Sequence, residues 1–196
     1  ARAEVELGLY YEAGAFGVKR DHAEAVRWYR KGAAQNYALA QYNLGAMYGH
    51  GKGVQQNHAE AVKWYRRAAA QNNAGAQSNL GVMYDHGHGV QQNHAEAVKW
   101  YRKGAAQNHA AAQYNLGLMY DQGRGVQQNY TQAAKWYRKA ATQNHAAAQF
   151  NLGAMYWNGM GVQQDDKQAL VWFRRSAAQG NEEARNLLEH ITQSKG

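Results

Sequence analysis

Four asparagines recur at a single spacing: Asn43, Asn79, Asn115 and Asn151 stand 36 residues apart. An asparagine side chain offers one acceptor and two donors, so a row of them can pair with both polar groups of a bound peptide backbone. The competing reading is that each amide bonds a neighbouring helix or loop and holds the chain to itself. The residues just before them are Tyr42, Ser78, Tyr114 and Phe150, and Trp157 stands where the equivalent positions carry Gly49, Asp85 and Asp121. Aromatic side chains bury much area with few rotatable bonds, which suits a docking surface. Their alternative use is packing within the fold.

Basic residues form a second recurrent set. Arg27, Arg30 and Lys31 lie at i, i+3, i+4, as do Lys63, Arg66 and Arg67, then Lys99, Arg102 and Lys103, then Lys135, Arg138 and Lys139. Arg174 and Arg175 continue the row. On helices these triads make an exposed ridge, which could attract nucleic acid, an anionic glycan or a membrane surface. The simpler reading is a solvated face countered by Glu24, Glu60 and Glu96 one turn earlier. Without interleaved aromatics on which bases could stack, nucleic acid is not the favoured partner.

Histidine is the third set. His22, His58 and His94 recur at 36 residues. They fall in successive units roughly 10 Å apart, too far to share one metal ion with bonds near 2 Å. His86 and His88 are closer and could at most form a weak surface site, so no metal is assigned.

Catalytic constellations are missing from the sequence. The serines are Ser78, Ser176 and Ser194, and none begins S-x-x-K or sits in G-x-S-x-G. There is no H-E-x-x-H, and Gly45…Gly51-Lys52-Gly53 has neither the spacing nor the hydroxyl of a phosphate loop. No cofactor is expected. With no cysteine among 196 residues, disulfide frameworks and thiolate metal sites are excluded. The net charge is +8, and proline is absent. The mean hydropathy is −0.80, and no apolar run approaches the length of a membrane span. The start, ARAEVELGLYYEAG, lacks the basic and apolar regions of a signal peptide.

The elements that position these residues follow from the repeat. Trp28, Trp64, Trp100, Trp136 and Trp172 share the period, and QQNHAEAVKWYR occurs unchanged at 55–66 and 91–102. A fixed period of this size marks a solenoid whose units bury their apolar faces on one another. In one unit, Ala40, Leu44, Met47 and Tyr48 make a helical stripe, and Gly45 beside it implies close approach of another helix. Gly51 and Gly53 stop that helix. The second helix starts at Asn57, with Glu60 at capping-box spacing. The same pairing recurs as Asp21/Glu24, Asn93/Glu96, Asn129/Gln132 and Asp165/Gln168. Ala61, Trp64, Tyr65 and Ala68 form its buried stripe. The first helices of the hairpins (A) are expected near 2–13, 38–50, 74–86, 110–122, 146–158 and 182–192. The second helices (B) are expected near 21–34, 57–70, 93–106, 129–142 and 165–178.

The pattern A-x-x-x-L-G-x-x-Y-x-x-G-x-G-V followed by A-x-x-W-Y-x-x-A-A resembles the Sel-one-like repeat family, a subclass of the tetratricopeptide superfamily. The second unit carries it on Ala40, Leu44, Gly45, Tyr48, Gly51, Gly53, Val54, Ala61, Trp64, Tyr65, Ala68 and Ala69. The resemblance implies an all-α, right-handed α-solenoid serving as an adaptor for other proteins. It covers residues 1–196 as one domain, with repeats at about 2–37, 38–73, 74–109, 110–145 and 146–181 and a capping helix over 182–196. It also implies a bacterial, often exported protein, the only hint to compartment. Cysteine-rich bacterial members bind or hydrolyse β-lactams; that enzymatic alternative is not expected in a chain without their cysteines. The first helix has no cap, which suggests that chain precedes Ala1 or that copies stack end to end.

The resemblance places positions 42, 43, 46, 49 and 50 of each unit on a concave A-helix groove, with the basic ridge on the convex side. The implied peptide-binding set is Tyr42, Asn43, Asn79, Tyr114, Asn115, Leu118, Phe150, Asn151 and Trp157. Related tetratricopeptide domains hold a peptide backbone or terminal carboxylate with an asparagine at this position. The expected function is a non-catalytic scaffold for a protein or peptide. The polyanion alternative uses Lys63, Arg66, Arg67, Lys99, Arg102, Lys103, Lys135, Arg138 and Lys139.

Overall fold

The computed structural model describes residues 1–193, so the last part of the expected cap, 194–196, lies outside the described residues. The A-helices are α1 (Arg2–Ala13), α3 (Ala38–His50), α5 (Ala74–His86), α7 (Ala110–Gln122), α9 (Ala146–Asn158) and α11 (Glu182–Gln193). The B-helices are α2 (His22–Ala34), α4 (His58–Ala70), α6 (His94–Ala106), α8 (Tyr130–Ala141) and α10 (Asp166–Ala178). There is no strand among the described residues. The helices fall into two compact units, Ala1–Trp100 and the chain from Tyr101 onward, with the boundary inside α6.

Every B-helix starts on the residue the sequence marks. The side chains of Asp21, Asn57, Asn93, Asn129 and Asp165 accept from the backbone N–H three residues on, at 2.9–3.0 Å. The reciprocal half of a capping box does not form. The backbone N–H of each cap instead donates to the carbonyl of Tyr11, Tyr48, Tyr84, Tyr120 or Tyr156 at the end of the preceding A-helix. That leaves Glu24, Glu60 and Glu96 to pair with Arg27, Lys63 and Lys99.

Glycine sets how closely each hairpin closes. A Cβ on Gly45 would lie 2.8 Å from the Tyr65 ring, and one on Gly117 would lie 2.6 Å from the Tyr137 ring. The Leu-Gly pair therefore lets the B-helix tyrosine lie flat on the A-helix backbone. Gly53, at φ +68°, presses on the His22 carbonyl at the start of the previous B-helix, where a Cβ would come within 2.2 Å.

The core repeats with the sequence. In the first unit, Val5, Val26, Tyr29, Ala40, Leu44 and Met47 form one cluster, so the second A-helix closes the first hairpin. Ala61, Val62, Tyr65, Leu80 and Met83 form the next. In the second unit the cluster joins Ala133, Tyr137, Ala148, Leu152, Met155 and Trp172. Each large side chain buried this way contributes about 1.5–3 kcal/mol. One expectation is corrected: Trp64 is not in the buried stripe. It is half-buried, and Val62 and Ala69 lie inside instead. In α11, Ala184 and Ile191 are buried while Glu182, Glu183, Arg185 and Glu189 face outward.

A buried amide row runs beside this core. Gln41, Gln77, Gln113 and Gln149 are each 1–2% exposed. Gln71, Gln143 and Gln179 donate to the Oε1 of Gln41, Gln113 and Gln149 at 2.6–2.7 Å. The amide nitrogens of Gln41, Gln77 and Gln113 donate to the turn asparagines Asn36, Asn72 and Asn108 at 2.9–3.1 Å. Asn36, Asn72, Asn108 and Asn144 hold those turns at φ 57–65°, a left-handed conformation that asparagine tolerates.

Candidate functional site

The A-helices present the candidate docking residues, half-buried in every case. In the first unit, Asn43 and Asn79 sit opposite the tyrosines of their neighbouring B-helices. Burial raises the Tyr29 pKa strongly, the hydrogen bond to Glu12 adds to the rise, and the Asn43 amide works against it. Tyr65 is pushed up to about 12 by burial, with Asn79 working against the rise. In the second unit Tyr137 is raised by burial and then by Asp121, against the effect of Asn151. Asn151 acts on Tyr114 in the same sense, where burial again raises the pKa. Asn115 is half-buried at the equivalent place on α7.

The ring positions also serve the fold. Tyr42 lies 6.1 Å from Tyr65, and Phe150 lies 5.6 Å from Phe173, centroid to centroid. Tyr114 lies 5.9 Å from Tyr137 and stacks on His145 at 4.6 Å. Leu118 packs on the core cluster of the second unit. Trp157 is half-buried. Packing within the fold, the alternative the sequence allowed, is seen at Tyr42, Tyr114 and Phe150, each of which packs on the B-helix aromatic of its own hairpin.

Two clefts open on the A-helix side of the first unit. One, of about 440 Å³, brings Tyr42 and Asn43 together with Leu9, Glu12 and Ala46. The other, of about 410 Å³, is lined by His50, His58, His88, Tyr65 and Asn79, over a wall of Val82 and Met83. The His58 and His88 rings stack at 5.1 Å, and His86 lies 5.6 Å from His88. Sequence spacing pointed to His86 with His88 but not to His58, because a loop folds back onto the preceding hairpin. No group of three or more His, Cys, Asp or Glu is placed to hold a metal among the described residues.

The basic ridge is largely engaged in local contacts. Arg30, Arg66, Arg102 and Arg138 donate to the hydroxyls of Tyr48, Tyr84, Tyr120 and Tyr156 at 2.7–2.9 Å. Lys31, Arg67 and Lys139 lie over the rings of Trp28, Trp64 and Trp136, 3.9–4.7 Å from the centroids. Lys63 and Lys99 meet Glu60 and Glu96. Lys103 and Lys135 are exposed on the same row. Aromatic rings are thus interleaved with the cations, contrary to the sequence reading, but those Trp faces are covered by cations.

These hairpins, repeated about every 36 residues, define an all-α solenoid of helix-turn-helix repeats. The Sel1 repeat family model matches residues 1–37, 38–73, 74–109, 110–145 and 146–181. The chain belongs to the Sel1 repeat family. It is 43% identical to a protective antigen of uropathogenic Escherichia coli displaying an SLR fold, at a TM-score of 0.88. That match covers 99% of this chain and 41% of the antigen, so the chain spans less than half of that relative. A Sel1 repeat protein from Oxalobacter formigenes is 39% identical at a TM-score of 0.89, over 97% of this chain and 75% of that one. The cysteine-rich protein B of Helicobacter pylori is 25% identical at a TM-score of 0.54, over 67% of this chain and 95% of that one. Comparison with curated proteins finds no match. Sel1 repeat proteins are typically non-catalytic scaffolds for protein interaction, and no described helix is long and apolar enough to cross a membrane.

Proposed function

We propose that this chain is a scaffold that binds a protein or peptide partner on the outward faces of its A-helices. The carrying observation is the cleft that sets Tyr42 beside Asn43, with Leu9 and Ala46 as its apolar wall. A ring, an amide and aliphatic surface together suit a peptide, which needs both backbone pairing and side-chain burial. Asn79 in the first unit belongs to the same surface. In the second unit the corresponding residues are Tyr114, Asn115, Leu118, Phe150, Asn151 and Trp157. Each asparagine amide carries a donor and an acceptor, which suits both polar groups of a partner's backbone.

The test compares capture from a lysate of the source organism by the wild-type chain and by a chain carrying Asn43→Ala, Asn79→Ala, Asn115→Ala and Asn151→Ala. Loss of specific partners with helical content and melting retained supports the reading. Full retention of partners refutes it. So does capture lost only in Lys99→Glu/Arg102→Glu/Lys103→Glu and falling steeply with salt, which would assign binding to the basic ridge.

A further inference from the structure

Aligning the repeats within the chain exposes a vacancy in the second one. The residue after the A-helix tyrosine is Glu12, Gly49, Asp85, Asp121 and Trp157 in turn, and the B-helix aromatic is Tyr29, Tyr65, Tyr101, Tyr137 and Phe173. In the first and fourth repeats the acid takes the phenol proton. Tyr29 donates to Glu12 at 2.7 Å, and Tyr137 donates to Asp121 at 3.1 Å. Phe173 has no hydroxyl and faces a position without an acid. Only the second repeat pairs a tyrosine with no acid at all.

Two donors are left behind there. The Tyr65 hydroxyl lies beside the Asn79 amide, with no carboxylate in the cleft to take its proton. His58 is the second. Its counterpart one repeat on, His94, meets the Asp85 carboxylate through Nδ1 at 2.7 Å. With glycine at 49, the His58 Nδ1 is buried and has no hydrogen-bond partner. The same atom of His22 is also unpaired, because Glu12 turns to Tyr29. A buried polar atom without a partner costs about 1–3 kcal/mol, so a ligand that supplies the partner recovers that energy.

The vacancy is open. Gly49 forms part of the 410 Å³ cleft, and no carboxylate lines it. A Cβ built on Gly49 would stand 3.8 Å from the Tyr65 hydroxyl. His50 and His88 add ring nitrogens, and Val82 and Met83 supply an apolar side.

We propose that the second repeat binds a carboxylate on a short aliphatic stem, its oxygens occupying the place that Glu12 and Asp121 fill in the other hairpins. Tyr65 Oη–H and a ring N–H of His58 donate to the carboxylate, and Val82 and Met83 receive the stem. The proposal gives a ligand chemistry to one part of the surface assigned above to partner binding. It is tested with small molecules, so it stands or fails apart from that reading.

The full chain is titrated with butyrate and with the neutral isostere butyramide, while the histidine side-chain carbon–proton signals are followed by NMR. Saturable movement of the His58 and His88 signals with butyrate, and none with butyramide, is expected. Acetyl-glutamate amide against acetyl-glutamine amide forms the second arm. Tighter binding of the capped glutamate than of butyrate assigns the site to an acidic side chain of a partner, and the reverse order assigns it to a free acid. Gly49→Asp supplies the missing acid from within, and Tyr65→Phe removes one donor. Each should weaken butyrate at least tenfold, with the melting temperature of Gly49→Asp not lowered. Equal response to butyrate and butyramide overturns the proposal, as does unchanged affinity in Tyr65→Phe.

Discussion

Gly45 and Gly49 lie one turn apart on α3, and the same substitution at each should move stability in opposite directions. Both are helical, so alanine gains about 0.5–1 kcal/mol of helix propensity at either. At Gly49 the new methyl meets Ala61, Met83 and Tyr65 at 3.7–3.8 Å, ordinary contact distances. The gain is kept there. At Gly45 the methyl falls 2.8 Å from two ring carbons of Tyr65 and 3.3 Å from the Ala61 carbonyl. Tyr65 is 2% exposed and its ring cannot swing aside. Overpacking of this kind costs about 1–3 kcal/mol, which exceeds the propensity gain and leaves a net loss of about 1–2 kcal/mol. For a chain of this size about 1 kcal/mol moves the melting temperature by about 2–4 °C. Gly49→Ala should therefore melt about 1–4 °C higher than the wild type and Gly45→Ala about 2–8 °C lower, read by circular dichroism at 222 nm. Shifts of the same sign in both variants would refute the packing argument, because propensity alone cannot separate the two sites.

Two further outcomes follow from buried polar groups. His109 and His145 cap α7 and α9 by accepting from Ala112 and Ala148 N–H through Nδ1, and burial lowers the pKa of both. Their contribution is complete above the unfolded value of 6.5 and is lost as pH falls from there through the lower folded values, because the unfolded chain takes the proton first. Asn73 and Asn181 make the same cap without titrating. His109→Asn/His145→Asn should accordingly show a smaller drop in urea midpoint between pH 7.5 and 5, and an unchanged drop counts against the cap. Gln113→Leu strips the acceptor from Gln143 and the donor from the Ala105 carbonyl, and should cost about 1–3 kcal/mol. Gln143→Ala alone, at an exposed position, should cost less in the same denaturation assay.

Sequence alone determined the helical hairpins. Helix starts, stops and the Leu-Gly contact are local or strictly periodic events, written in Asn57, Gly51 and Gly45 and repeated at a fixed interval. It also named the surface asparagines and cations, since their recurrence is visible without coordinates. The partners of those side chains were decided by tertiary structure. Arg66 finds Tyr84, Arg67 covers Trp64, and Gln41 is buried against Gln71. The row of glutamines was legible as a recurrence, but a polar residue gives no sign that it will be buried until the turn that satisfies it is in place. The cleft at Gly49 is the clearest case. Its glycine, tyrosine and histidines come from α3, α4 and the loop after α5. Sequence shows a missing acid at one register position; only the packing of three segments shows that its absence leaves an open space with two unused donors facing into it.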